Sequence, residues 1–312
     1  MTDDSNDRFQ LAAAATTRLV SQCVAHAERV SAKLNDRIAA AATSSPCRLD
    51  EARALNGEHL LAFKQLLEHV ETMCNAMVSH LTGLKHLLSD EMFHPLPAMV
   101  IARAIAEVAA STSWMLHPGL SSDERAARGY ATMFAIVQRS ITDAQPSDVA
   151  RMKELREELV KHLRKPGGDL TVERGNKHGV IQEYVAQITV GRGHNKARAK
   201  VAVNYSQRIE QEIPDIGPLY KAMSGVAHGT QTAITTSWST PDSYARLIGH
   251  VASASTEAWS HALHDWVGAS AGRFLNETDR QNILLSIPEA TRARAIAKFA
   301  AMVLSDGGPG TK

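Results

Sequence analysis

Apolar and polar positions alternate along this chain mainly with a helical period. From Arg8 to about Thr43, "FQLAAAATTRLVSQCVAHAERVSAKLNDRIAAAAT" carries apolar residues at helical steps and is built from good helix formers. "SSPCRLDE" interrupts it. A second helix is predicted from about Asp50 to Leu88, with Leu60, Phe63, Leu67, Val70, Met73 and Met77 at three- and four-residue steps and Gly83 as a point of weakness or bending. A third runs from about Pro97 to Leu116, its proline placed in the first turn where no amide is needed. After "HPGL", Ser121 or Ser122 is the N-cap of a fourth helix, with Glu124 in its first turn. A charged helix follows over "PSDVARMKELREELVKHLRK", its Glu and Arg/Lys residues at helix spacing.

The stretch of about 166–200 breaks the period. It reads either as one or two short strands, "VAQITV" the best of them, or as a long loop. Helices resume near Val201 and break at "IPDIGP". "LYKAMSGVAHGTQTAI" follows, then a long helix over about Pro241–Gly272 and a last one near Glu289–Leu304. No internal repeat and no clean boundary divides the chain. The expected fold class is all-α: one bundle-like domain over 8–304 with an irregular basic insertion, and disordered tails at 1–7 and 305–312.

Composition narrows the function classes. Thirty-four basic residues against 33 acidic ones give a net charge of +1, so no global field draws the chain to nucleic acid or membrane. Cys23, Cys47 and Cys74 are odd in number and lack CxxC spacing, which argues against a disulfide framework or a zinc knuckle and for a reducing compartment. "MTDDSNDRFQ" is acidic and polar, unlike a signal peptide. No run approaches the ~18 apolar residues of a membrane span. The expected location is cytoplasmic.

Candidate chemistry begins on the third helix. "RAIAEVAASTSWML" is apolar in nearly every direction, so the helix is expected to lie inside the bundle, yet Arg103 and Glu107 sit on it at i and i+4. A buried charge must be paired and hydrogen-bonded, and such a pair either locks helix packing or marks a ligand-facing site. In "YKAMSGVAHGT", Lys221, Ser224 and His228 fall on one helical stripe. There they are either the wet side of an amphipathic helix or an amine, a hydroxyl and an imidazole available for acid–base work. Arg103 and Glu107 need more partners than each other. Ser224 is expected to donate to Glu107, and a neutral His228 to accept from Arg103, which requires the two helices to pack side by side.

The block "FHPLPAMVIARAIAEVAASTSWMLHPGLSSDERAARGY", with the distant "YKAMSGVAHG", resembles a group of all-helical actinobacterial proteins. These carry an HPLP…R…E…W block and a distant Y…S…H block. The resemblance covers about a third of the chain. It implies an architecture and a set of marked residues (Arg103, Glu107, Trp114, Pro118, Arg125, Arg128, Ser224, His228) rather than a reaction. A remoter similarity is to the HEPN ribonucleases, helical bundles with an Arg-x(4–6)-His motif. Here Lys221 precedes His228 by six intervening residues where those enzymes have arginine, and lysine lacks the guanidinium fork. That similarity implies His228 as general base on RNA, with Lys221 or Arg103 holding phosphate.

Between Arg174 and Lys200 six basic residues face one acid, and Arg192, Lys196, Arg198 and Lys200 form the densest part. The stretch either contacts phosphates or is a solvated surface. His261 and His264, at i and i+3, are at most half of a metal site. No phosphate-binding loop, GxSxG, HExxH or GxGxxG is present, and neither metal nor cofactor is implied. Two functions remain. One is a cytosolic protein binding a partner or small ligand at an internal polar cluster of Arg103, Glu107, Ser224 and His228. The other is an HEPN-like enzyme acting on RNA. RNA, another protein or a second copy of the chain are the partners left open, and a membrane is not among them.

Overall fold

In the computed structural model, residues 3–89, 95–177, 180–191, 196–227 and 241–269 are described. Helix α1 (Asp3–Ala32) begins inside the stretch expected to be a tail, and a one-residue turn separates it from α2 (Leu34–Ala40). The helix expected over Asp50–Leu88 is two helices, α3 (Pro46–Leu55) and α4 (Leu60–Ser89). The break falls at "NGEH", where Gly57 (φ 82°) and His59 (φ 58°) take left-handed backbone. Glycine enters that region freely and ends helices there, whereas His59 is held in it by burial. Gly83 interrupts nothing, because α4 runs through it.

Helix α5 (Pro95–Leu116) is the centre of the molecule and packs against α4, α8 (Tyr205–Glu212), α9 (Gly217–Ala227) and α10 (Pro241–Val267). Ala102, Ile105, Ala106, Ala109 and Leu116 of α5 are fully buried, in a core shared with Val20, Met77, Leu81, Trp259 and Trp266. By length and mean hydropathy (1.3) Leu96–Leu116 could cross a membrane, contrary to the expectation that no run comes close, but 67% of it is buried inside the protein. It has the character of a core helix.

A second, smaller core lies between α6 (Ser122–Asp143), α7 (Pro146–Arg164) and a three-stranded antiparallel sheet. Ser121 caps α6 through its side chain and Glu124 reaches back to the Ser121 amide, a capping box. The basic insertion supplies the sheet, in order β1 (Asp169–Lys177), β2 (Val180–Val190), β3 (Ala197–Lys200). Register slips between Thr171 and Val172, leaving Ala186 as the extra residue on β2. The bulge resets the alternation of sides, so Val185 and Ile188, three residues apart, are both buried. Gln138 of α6 accepts from the Val185 amide and donates to its carbonyl at 3.3 Å, while the Val201 amide donates to the Ala186 carbonyl at 2.9 Å. The fold is an all-α bundle carrying one small sheet. The helix expected near Glu289–Leu304 and the C-terminal tail lie outside the described residues.

Candidate functional site

On α5, Trp114 follows Glu107 by seven positions and Glu107 follows Arg103 by four, so all three fall within about 40° of one another around the helix. This is the wet edge of α5, continued by Leu96 and Val100, and it explains how a buried helix carries charges. The Arg103 Nε donates to Glu107 Oε1 at 2.8 Å, with the two side chains 21% and 24% exposed. The pair is therefore half-buried, not internal as its apolar surroundings suggest.

Helix α9 does pack on α5, and the group it sends to Glu107 is Tyr220, whose hydroxyl donates to Glu107 Oε1 at 2.7 Å. The Arg103 guanidinium also lies over the Tyr220 ring, 5.6 Å from its centre. Burial and the Glu107 hydrogen bond push the Tyr220 phenol up to about 12. Arg103, although desolvated, is held above its ordinary value by Tyr220 and Glu107. Ser224 is half-buried on the same helix. Lys221 is exposed and pairs with Glu210 of α8. His228 lies outside the described residues, as does Arg192. An aromatic at position 220 was the available signal for Tyr220, since a tyrosine that buries its ring still needs a partner for its hydroxyl.

In the last turn of α5, Trp114 collects two more arginines. Arg208 of α8 lies 3.7 Å from the centre of its indole and Arg128 of α6 lies 4.8 Å away. Arg128 also donates to the Trp114 carbonyl, one of the orphan acceptors at a helix end.

A third charged group is deeper. Arg125 of α6 makes a forked ion pair with Asp50 of α3, Nε to Oδ2 at 2.6 Å and Nη2 to Oδ1 at 3.0 Å, with the side chains only 3% and 5% exposed. Trp266 of α10 donates its indole N–H to Asp50 Oδ2 at 3.1 Å, and Arg125 donates a further bond to the Leu120 carbonyl at 2.6 Å. The niche beside it, lined by Asp50, Arg53, His59 and Arg125, has about 20 Å³ of space, room for one water rather than a ligand.

The remaining candidates separate. His264 is buried, its Nδ1 on the Ser260 carbonyl at 2.6 Å and its Nε2 on Arg37, while His261 is exposed and 4.0 Å from Glu257. The two rings thus serve different surroundings, and among the described residues no three His, Cys, Asp or Glu side chains gather as metal ligands would. All three cysteines are free and buried, and burial pushes the Cys23 and Cys74 thiols up to about 12, the state of an inert thiol. Arg198 and Lys200 on β3 and Lys196 just before it are all exposed, while Ala197 and Ala199 between them are buried. Arg174 is tied across the sheet to Glu183 at 3.0 Å. No protein-family profile matches the chain, and no curated protein or solved structure is significantly similar to it.

Proposed function

We propose that this chain is a cytosolic binding protein whose small ligand or partner is taken at the wet edge of α5, around Arg103, Glu107 and Tyr220. The observation that carries the reading is the connected Arg–Glu–Tyr group: a half-buried ion pair on a helix that is otherwise core, joined by the buried Tyr220 of α9. Its members are preorganised by one another, which lowers the entropy lost on binding. They also suit recognition better than proton transfer. General acid–base catalysis favours a group titrating near the working pH, and here the phenol is pushed up to about 12 while the guanidinium is held above its usual value. Three buried, free cysteines fit a reducing cytosol. A thermal-shift screen of a metabolite panel on the parent chain and on Tyr220→Phe tests this. The expected hit raises the parent's Tm and raises the variant's clearly less. Hits that stabilise both equally, or turnover of a hit that depends on Glu107, would overturn it.

A second reading has its own observation. Lys196, just before β3, and Arg198 and Lys200 on its exposed side stand at alternate positions, at steps of about 6.6 Å, which suits a run of phosphates on RNA or DNA. Three such contacts on a single strand give a slope of log affinity against log salt of about −2. Replacing all three by alanine is expected to remove that slope. Absence of binding by the parent at low salt rules the reading out.

A further inference from the structure

The two arginines on Trp114 differ from three other arginines of this molecule. Arg103 has Glu107, Arg125 has Asp50, and Arg53 has both Glu58 and Asp123. Neither Arg128 nor Arg208 has a carboxylate oxygen within 4.0 Å among the described residues, and for Arg208 the indole is the one close partner there. Both are half-buried, and they are near enough to repel each other. Burial lowers both guanidinium values, that of Arg208 to about 10, with Arg128 lowering Arg208 further and Arg125 lowering Arg128. His117 bears on Glu212, and Arg208 adds to the burial that lowers His69. Glu212 is the carboxylate both arginines feel, yet it is itself half-buried, and burial raises its value.

Arg128 has a structural use, the Trp114 carbonyl. That use does not require a second guanidinium brought onto the same ring with no carboxylate in contact. Two desolvated cations held close by an aromatic are unfavourable when empty and favourable around an anion, because the forked donors of arginine match tetrahedral and planar oxyanions.

We infer that Arg128 and Arg208, set on Trp114 where α5, α6 and α8 meet, form an anion site for the phosphate group of a small ligand. It is separate in its residues from the Arg103–Glu107–Tyr220 group and stands whether or not that group binds anything. The phosphate would sit between the two forks, and Glu212 would oppose it.

Inorganic phosphate, and ribose 5-phosphate as an ester, are titrated into the full-length chain at matched ionic strength against chloride, reading Tm and tryptophan emission. The parent is expected to show a saturable response to phosphate, and a response to the ester shows that the site also takes a phosphorylated molecule. Arg208→Gln is expected to weaken binding tenfold or more while leaving the empty protein at least as stable, since it removes an unpaired cation. Arg208→Lys retains charge without the fork and falls between. Glu212→Gln is expected to tighten binding, which a merely structural role for these arginines would not produce. A response to phosphate no greater than to chloride overturns the site, and so does an Arg208→Gln protein that responds as the parent does.

Discussion

Two arginine–carboxylate pairs in this protein have the same chemistry and opposite surroundings. Arg103 and Glu107 are neighbours on one helix, joined by a single bond, and about a fifth to a quarter exposed. Asp50 and Arg125 come from α3 and α6, join through both forks, and are almost sealed from water, with Trp266 and the Leu120 carbonyl taking up the remaining bonding capacity. Sealed charges are desolvated and must be fully satisfied. Charges at an edge keep part of their hydration and are free to exchange partners. The deep pair is therefore suited to hold three helices in register, and the edge pair to meet a ligand.

The largest effect separating them is expected for Asp50→Ala, which leaves Arg125 and the Trp266 N–H buried without an acceptor and should cost about 3–5 kcal/mol. Urea unfolding measures it, and a loss below about 1 kcal/mol would remove the distinction drawn between the pairs.

Acid is the next test, and it acts on a different buried group. His26 accepts or donates at 2.8 Å to Ser260, which also meets His264, and burial with nearby Arg29 lowers His26 to about 4. The folded His26 therefore binds its proton later than the unfolded one, at an ordinary value of about 6.5. Stability falls as pH drops from about 6.5 to about 4, by at most about 3 kcal/mol from this residue, and the contribution is flat below. His26→Gln is expected to flatten that part of the pH profile, and an unchanged profile would place the acid sensitivity elsewhere.

Glu107→Ala is expected to cost about 1–2 kcal/mol, between the exposed and buried limits, and 1 M salt should shrink that difference while leaving the Asp50→Ala value unmoved. Equal salt responses would mean the edge pair is as sealed as the deep one. At the small end, Arg174→Ala on the open face of the sheet should change stability by no more than about 0.5 kcal/mol.

Legibility in the sequence followed distance along the chain. The α5 pair was readable because four residues on a helix place side chains together, and the packing of α9 on α5 was expected from the need for further partners. Which residue would come was not, since Tyr220 and Ser224 lie one turn apart and a helical pattern does not fix the helix's rotation. Asp50 reads as an ordinary residue near a helix start. Its partners are 75 and 216 positions away, and no local spacing announces them. Arg208 was hidden for the same reason. The break at Gly57 was missed because apolar periodicity continues across it, and the sheet was half seen because the bulge at Ala186 spoils the alternation by which a strand is recognised.

That sheet ends on β3, a four-residue strand paired on one side only with β2. An unpaired strand edge is a template for a second chain, and short length and charge are how proteins discourage it. Lys196, Arg198 and Lys200 repel an identical row brought alongside, so the same cations that suit a phosphate run also keep copies of this protein apart at high concentration. Neutralising them, by substitution or by a bound polyanion, would withdraw that protection and open β3 to strand-by-strand self-association.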